Sequence, residues 1–594
     1  MAREWRIYSK KADFDRLSEK FGIDRLTAGL IVNRGISTDE DIERYLRGGL
    51  SDLWDEELLP DSKKAAEIIV ESLKKGRGIR IVGDYDTDGV CSVYILMRGL
   101  SFAAKVLSDM GYEGAARAAL DFTVPDRIND GYGINRHIIE RAAADGREVI
   151  ITCDNGISAR EELALAKEKG LIVVVTDHHE VMKGEDGDIL PPADAVVDPK
   201  RAESAYPFKG ICGAVVAWKV IKAVFDSLSL FSSSYSEEAD KLYFKELLSF
   251  AAIATVGDVM ELQDENRIIV KEGLRIINSG QSGNLGLKKL IEGCGIGDRE
   301  TDSYHIGFIL GPCINAGGRL ETAETALRLF LCKAESEAEI LAERLIELNA
   351  QRKDMTEQGV KAAEELVETE LSEDKVLVIY IPKLHESLAG IVAGRIREKY
   401  SRPTFVITDA KEGLKGSGRS VKAYHMFDRL CDVSELLTKF GGHPMAAGLS
   451  LRKEDLGELR RRLNESCGLK DEDLIERSAI DFVIPVSYIS PRLIEEFQIL
   501  KPFGQGNPRP VLADRELEAR DMRILGKNKN VLKMRLVDKS GYNIQAVMFG
   551  DCEEKERKLK SLMDEKGSIN IVYYPEINEY NGRRSLQLTV LDVL

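Results

Sequence analysis

Ile79-Arg80-Ile81-Val82-Gly83-Asp84-Tyr85-Asp86-Thr87-Asp88-Gly89 is a short apolar run that ends in three aspartates spaced two apart. Such a run, closed by Gly and an acidic turn, reads as a strand that delivers carboxylates at its carboxyl end. The arrangement returns along the chain. The run closing at Cys153 leads into Asp154-Asn155-Gly156, the one closing at Thr176 into Asp177-His178-His179-Glu180, and the one closing at Val197 into Asp198. Helical stretches such as Ser158–Lys169 separate these runs, and that alternation predicts a mainly parallel sheet with helices on both faces. The carboxyl ends of parallel strands share one crevice, where ligands bind.

One Asp after one strand is ordinarily a helix cap or turn residue, and one His-His pair is ordinarily a surface or core pair. Four strand ends that bring acids together with two histidines are another matter. Carboxylates crowded on one edge repel strongly unless cations neutralise them. Carboxylate and imidazole without thiolate suit Mn²⁺ or Mg²⁺, with imidazole favouring Mn²⁺. A pair of divalent ions about 3.5–4 Å apart activates a water and stabilises the attacking and leaving oxygens of a phosphoryl group. Hydrolysis of a phosphate ester or anhydride is therefore expected. No Walker lysine loop is present, so ATP hydrolysis is not indicated.

At 594 residues, 43% hydrophobic and 31% charged, the chain is long enough for several cores. Met1–Lys11 is polar and nowhere do about 18 apolar residues run together, so neither an export signal nor a membrane span is expected, and the chain reads as cytoplasmic. Nine scattered cysteines with no C-x-x-C pair read as reduced thiols. The net charge of −16 lowers the expectation of a polyanion partner, but from Lys501 onward 17 Lys/Arg face 14 Asp/Glu, a local surplus of three positive charges.

Residues 1–75 read as a small helical region, and 76–331 as the first α/β domain. Within it, Ser101–Phe122 reads as an inserted surface helix. The charged segment 332–372 carries Leu341, Leu345, Ile346 and Leu348 at helical spacing, one extended helix and a natural spacer. A second α/β unit occupies 373–470, with Gly-rich stretches up to Gly448. Residues 477–594 hold about five short strands over about 110 residues, the pattern of a small barrel of OB type.

The quoted acidic segments resemble the first three motifs of the DHH phosphoesterase superfamily, and Ala254-Thr255-Val256-Gly257-Asp258-Val259 resembles its fourth. Later segments resemble the RecJ exonuclease family within it. These are Gly311-Pro312 through Asn315-Ala316-Gly317-Gly318-Arg319-Leu320, Gly416-Ser417-Gly418-Arg419-Ser420, Gly441-Gly442-His443-Pro444-Met445-Ala446-Ala447-Gly448, and Pro502-Phe503-Gly504-Gln505-Gly506-Asn507-Pro508. The matches span about residue 75 to the end. They imply an α/β protein in which a long helix joins a DHH parallel-sheet domain to a DHHA1 α/β domain, plus a C-terminal OB-type β-barrel.

The resemblance further implies that Asp84, Asp86, Asp154, His178 and Asp258 ligate two metal ions, with His179 also catalytic. Asp88 is left open between metal and helix cap. Asp177, Asn315, Arg319, Ser417, Arg419, Ser420, Gly441, Gly442 and His443 are the implied substrate-binding residues, with Asp177 and His179 left open between supporting the metal ligands from behind and facing the substrate. Physically, arginines clamp phosphate bidentately and glycines let backbone N–H groups approach an anion, although a Gly-Gly pair is also a plain turn. Lys527, Lys529, Lys533 and Arg535, with Tyr573, Tyr574 and Tyr580, fit a single-strand platform, although tyrosines in strands are also core residues. The chain departs from the pattern at Val82, where some relatives carry His. It departs again at Cys313, where Arg is usual, and at Leu384 and Ser387 around His385, where Trp and Gly are usual.

The activity implied is a monomeric 5′→3′ exonuclease that degrades single-stranded DNA to 5′-mononucleotides with Mn²⁺ or Mg²⁺. A RecQ-type helicase and a single-strand-binding protein are implied partners. Two other readings stand beside it: a phosphodiesterase of short oligoribonucleotides or cyclic dinucleotides, and an inert single-strand-binding scaffold. The barrel argues against the first and the intact acid–histidine set against the second.

Overall fold

The computed structural model of the chain describes residues 3–128, 130–185, 187–526, 529–580 and 583–593. They fall into two compact units. The first comprises Leu53–Met260 and Ile268–Ile475; the second gathers the chain up to Asp52, Glu261–Arg267 and the chain from Glu476 on.

The first unit opens on a parallel sheet of β1 (Ile79–Val82), β2 (Leu120–Thr123), β3 (Val149–Cys153), β4 (Ile172–Thr176) and β5 (Ala195–Val197), in the order β2-β1-β3-β4-β5. β1 and β3 are buried at every residue, as β-branched strands covered on both faces must be. The register pairs Val82 with Thr152, Cys153 with Thr176 and Thr176 with Val197, so the acids that follow these strands emerge along one edge. β2 was not expected. Ser101–Asp109 is not a separate insert but the end of the helix Thr87–Asp109, with Ala103, Val106 and Leu107 buried. Only the short helix Glu113–Arg117 intervenes before β2. The 87–109 helix is long and apolar enough to cross a membrane, but 67% of that stretch is buried inside the protein, and an apolar surface all round is what a core helix needs.

The second sheet of this unit contains β6 (Leu377–Tyr380), β7 (Thr404–Asp409), β8 (Leu414–Arg419), β9 (Leu437–His443) and β10 (Ala446–Leu451), ordered β9-β10-β8-β7-β6. Only β6 and β7 are parallel. The Gly-rich motifs are therefore strands. A Cβ on Gly418 would lie 2.4 Å from Met426 Sδ, so glycine there serves close packing. The helix Glu335–Thr369 is a packed strut more than a spacer, about 52 Å long at about 1.5 Å per residue. Its first half buries Leu341, Leu345 and Leu348 against the helices Leu285–Gly293, Gly311–Leu320 and Glu324–Leu331. Its second half buries Ala363 and Val367 in a core shared with Val392 and Ile396.

In the second unit, β11 (Leu512–Leu525), β12 (Val531–Val537), β13 (Asn543–Phe549), β14 (Ile569–Tyr580) and β15 (Arg583–Val593) close a ring, because β11 pairs with both β12 and β14. The strand Arg3–Ile7 pairs in parallel with Glu476–Ile480, and Leu30, Ile31 and Tyr45 join Leu532 and Tyr573 in one core. The expected region 1–75 is thus divided, since its residues up to Asp52 belong with the barrel. Tyr573 is fully buried and serves as core, while Tyr574 lies under the Arg509 guanidinium at 5.4 Å. Lys527 and the Tyr580 side chain lie outside the described residues.

Candidate metal centre and anion cleft

Glycine shapes the first acidic turn. A Cβ on Gly89 would meet the Asp84 carbonyl oxygen at 2.4 Å, so only glycine lets the chain turn from β1 into the 87–109 helix. Asp86 caps that helix by accepting from the Asp88 and Gly89 N–H groups at 3.0 and 3.1 Å. Asp154 follows β3 in left-handed backbone, φ 59°, which a non-glycine residue adopts at a cost of about 1 kcal/mol or more. Asn155 holds it there: its amide donates to the Val82 and Cys153 carbonyls at 3.0 and 2.9 Å and accepts from Ile134 N–H at 3.1 Å.

His178 Nε2 lies 3.1 Å from Asp154 Oδ1, 3.5 Å from Asp88 Oδ2 and 3.8 Å from Asp258 Oδ2. Asp88 does not cap its own helix. Its two oxygens accept from Gly213 and Ala214 N–H, both at 2.7 Å, at the start of the helix Gly213–Ser227, and it also faces His178. Among the described residues, ligand atoms converge within 4.8 Å in three groups: Asp84, Asp86 and Asp154; Asp88, His178 and Asp258; and Asp154, His178 and His179.

Burial, then the charge of Asp86, pushes Asp84 far above the ordinary carboxylate range; burial, then Asp88, Asp86 and Asp84, does the same to Asp154. Burial, then Asp88 and Asp86, raises Asp258 to about 8. Burial lowers His178, which leaves its imidazole neutral and free to bind a cation. Asp84 Oδ1 and His178 Nδ1 are buried without a hydrogen-bond partner among the described residues. Crowded carboxylates, a neutral imidazole and unsatisfied atoms form an oxygen-and-nitrogen donor set that fits divalent cations.

Asp177 is 1% exposed and takes the N–H groups of Ile157 and His178 at 2.9 and 2.8 Å and His179 Nδ1 at 2.8 Å. It therefore orients His179 from behind and does not face a substrate. Burial opposes a proton on His179, but the Asp177 hydrogen bond and the surrounding acids outweigh it and raise the imidazole to about 9. The Tyr132 hydroxyl, 3.2 Å from His179 Nδ1, donates to the Asp154 carbonyl at 2.9 Å.

In the same unit, a cleft of about 470 Å³ is lined by Tyr85, Arg127, Arg319, Ser417, Arg419, Lys439 and Gly441, among others. Glu386, also in the lining, is paired with Lys415 at 2.9 Å. Arg319 donates to the Ser387 carbonyl at 2.9 Å, and the Arg127 guanidinium lies 4.2 Å from the Tyr85 ring centre. Burial, then Arg127 and Arg352, lowers Arg319 to about 9, still protonated at neutral pH; burial, then Arg127, also lowers Arg419. Buried cations that depress one another call for an anion.

Of the expected substrate contacts, Arg319, Ser417, Arg419 and Gly441 line this cleft. Ser420 is buried and donates to the Tyr424 carbonyl at 2.6 Å. Gly442 and His443 sit at the exposed end of β9, outside the lining, and Asn315 is half-buried with an unpartnered Oδ1. Cys313 is buried 3.8 Å from Cys294 and accepts from Asn349 Nδ2 at 3.2 Å, so it faces the interior. Arg127 and Tyr132 were not foreseen. Both lie just after β2, the strand the sequence reading lacked.

Three family profiles match in chain order: the DHH family N-terminal domain at 78–255, the DHHA1 domain at 373–468 and the RecJ OB domain at 480–592. The fold and domain order are those of a DHH-type phosphoesterase. The chain is 34% identical to the single-stranded-DNA-specific exonuclease RecJ of Bacillus subtilis (strain 168) over 599 residues, which cover 100% of this chain and 71% of that one. It is 32% identical to the same-named protein of Escherichia coli (strain K12), with 94% of each chain covered. A crystal structure of Thermus thermophilus RecJ in complex with Mn²⁺ matches with a TM-score of 0.80 at 27% identity, covering 100% of this chain and 80% of that one. The Mg²⁺ complex matches with a TM-score of 0.74. The chain belongs to the RecJ family.

Proposed function

We propose that this chain degrades single-stranded DNA from the 5′ end and releases 5′-mononucleotides by metal-dependent hydrolysis. The observation that carries this reading is the adjacency of acid cluster and arginine cleft. Tyr85, between Asp84 and Asp86, itself lines the cleft, and a Cβ on Gly318 would meet the Tyr85 carbonyl oxygen at 2.3 Å. A terminal phosphate held by Arg319, Arg419 and Ser417 brings a neighbouring phosphodiester to the acids.

Asp84, Asp86, Asp154, His178 and Asp258 are the proposed ligands, with Asp88 beside His178. Two divalent ions, Mn²⁺ or Mg²⁺, held by these residues would lower the pKa of a water and offset charge on the phosphoryl group. Asp177 fixes the tilt of His179, whose imidazole holds a proton beside the leaving oxygen. The barrel of the second unit is itself a candidate single-strand-binding surface. A single-strand substrate also motivates a RecQ-type helicase and a single-strand-binding protein as cytoplasmic partners, which co-purification with the intact chain tests.

The deciding experiment incubates 5′- and 3′-labelled single strands, a blunt duplex and a short oligoribonucleotide with Mn²⁺, Mg²⁺ or EDTA. Early release of the 5′ label as mononucleotide, dependent on metal and absent on the duplex, is expected. Degradation of the oligoribonucleotide alone would move the substrate to small phosphodiesters, and binding without cleavage under any metal would leave a scaffold.

A further inference from the structure

Tyr304 and Phe308 are 54% and 66% exposed, and their rings stack with centres 4.8 Å apart and planes 25° from parallel. Neither the cores nor the metal centre uses them. They stand four residues apart on a segment whose hydrogen bonding widens at Ile306–Leu310 to the i→i+5 pattern, a form found mostly as single turns at functional sites. Asp302 and His305 cap its start reciprocally, which fixes the turn ahead of Phe308.

This turn is braced on the elements that carry the acids. A Cβ on Gly307 would lie 3.7 Å from Val256 Cγ1, and Val256-Gly257 lead directly into Asp258. Thr87, between Asp86 and Asp88, donates to the Gly311 carbonyl at 3.4 Å, and a Cβ on Gly257 would meet Thr87 Cγ2 at 2.7 Å. Val259, next to Asp258, is 67% exposed in left-handed backbone, φ 57°. That conformation is strained for a β-branched residue. An apolar, partly aromatic face therefore adjoins the acid cluster.

We propose that Tyr304 and Phe308 form a stacking platform for an unpaired base of the strand being cut, which presupposes the nucleic-acid substrate proposed above. A base is the planar apolar group that accompanies a phosphodiester to the acids, and a flat aromatic face takes any base without reading sequence. A paired base has its faces covered by its neighbours, so the platform also favours single strands over duplex.

The test uses the full chain, its Tyr304→Ala, Phe308→Ala, double and Phe308→Trp variants, and 5′-phosphorylated DNA strands in which a tetrahydrofuran abasic residue is moved one position at a time. Dissociation constants are read by fluorescence anisotropy in EDTA, cleavage is read in Mn²⁺, and equal melting temperatures establish folding. Phe308→Ala is expected to weaken binding by roughly five- to a hundredfold, the range for one lost base stack. Phe308→Trp should restore it. One abasic position should weaken the wild type by a similar factor and the Phe308→Ala variant hardly at all. A double variant that binds like the wild type while the wild type still cuts, or an abasic penalty equal in both, overturns the platform alone. A wild type that neither binds nor cuts single strands overturns the substrate reading as well.

Discussion

The carboxyl edge of the first sheet and the Gly-Arg face of the second pose opposite electrostatic problems. At the edge, Asp84, Asp154 and Asp258 are forced above their ordinary range by burial and by the charges of neighbouring acids, Asp86 and Asp88 foremost. In the cleft, Arg319 and Arg419 are forced below theirs by burial and neighbouring cations. Each cluster is unfavourable by itself, and each is relieved by a ligand of opposite charge, a cation for one and an anion for the other. Neither set is arranged for stability. On the proposed reading the difference also separates two roles, because groups that would hold cations bear on the chemical step, whereas groups that would hold a terminal phosphate bear on binding and register.

Asp154→Asn tests the acidic side most severely. Asn tolerates the left-handed backbone at this position and keeps the shape, so the change removes charge more than structure. Nuclease activity should fall at least about a thousandfold, a loss on the scale of an essential electrostatic group. Melting in EDTA should rise, because the cost of burying one carboxyl, met by protonating it in the folded state, is gone. An Asp154→Asn protein that melts lower in EDTA and still cuts would show that the edge is an ordinary structural network.

Arg419→Lys probes the other side. Lysine keeps the charge and loses the planar fork. The KM for a 5′-phosphorylated strand should rise about tenfold while kcat changes little, and any preference for 5′-phosphate over 5′-hydroxyl ends should shrink. A change confined to kcat would merge the two clusters into one catalytic unit and undo the division of roles.

The pH dependence of metal-free stability comes next. Asp258 has its folded pKa raised to about 8, well above 3.8. A carboxyl raised in the folded state contributes stability at pH below its unfolded value, and loses it as pH rises through the folded one. In EDTA the melting temperature should therefore fall from pH 5 to pH 8, by roughly 2–4 °C per kcal/mol lost. In excess Mn²⁺ that slope should flatten, since bound cations replace the protons, and apparent Mn²⁺ affinity should rise by up to about tenfold per pH unit below 8. Equal slopes with and without metal would place the ions elsewhere.

The two clusters also differed in legibility. Asp84, Asp154, Asp177 and Asp198 each follow a short, largely apolar strand, so those strand ends could be read directly and the crowding of charge demanded a physical cause. β2 offered only Leu120–Thr123, half-buried at the sheet edge, after a helix that runs past the expected boundary, and it was missed. With it went the following loop, hence Arg127 and Tyr132. In the second sheet, the glycine beside Arg419 reads as an anion contact in the sequence, which cannot show that Phe405 and Met426 crowd Gly418 within its strand. Ser420 and Arg419 are neighbours in sequence, yet Arg419, the last residue of β8, lines the cleft while Ser420, just past the strand, turns inward to Tyr424. Asp177 and His179 illustrate the same limit, because adjacency in the motif conceals that one supports the other from behind.

The smallest effect belongs to Tyr132, which adds no ionised group to either cluster. Its hydroxyl donates to the Asp154 carbonyl and lies against His179, so it fixes the residue the metal chemistry turns on without holding an ion. Tyr132→Phe removes one hydrogen bond of about 1 kcal/mol and keeps the ring. kcat/KM should fall roughly fivefold, and the pH profile should shift because His179 loses a neighbour. Mn²⁺ binding, measured by calorimetry, should weaken less than activity does. A Tyr132→Phe protein that loses metal affinity as steeply as activity would place Tyr132 among the groups that build the cation site, and the boundary between the clusters would then run through the loop after β2.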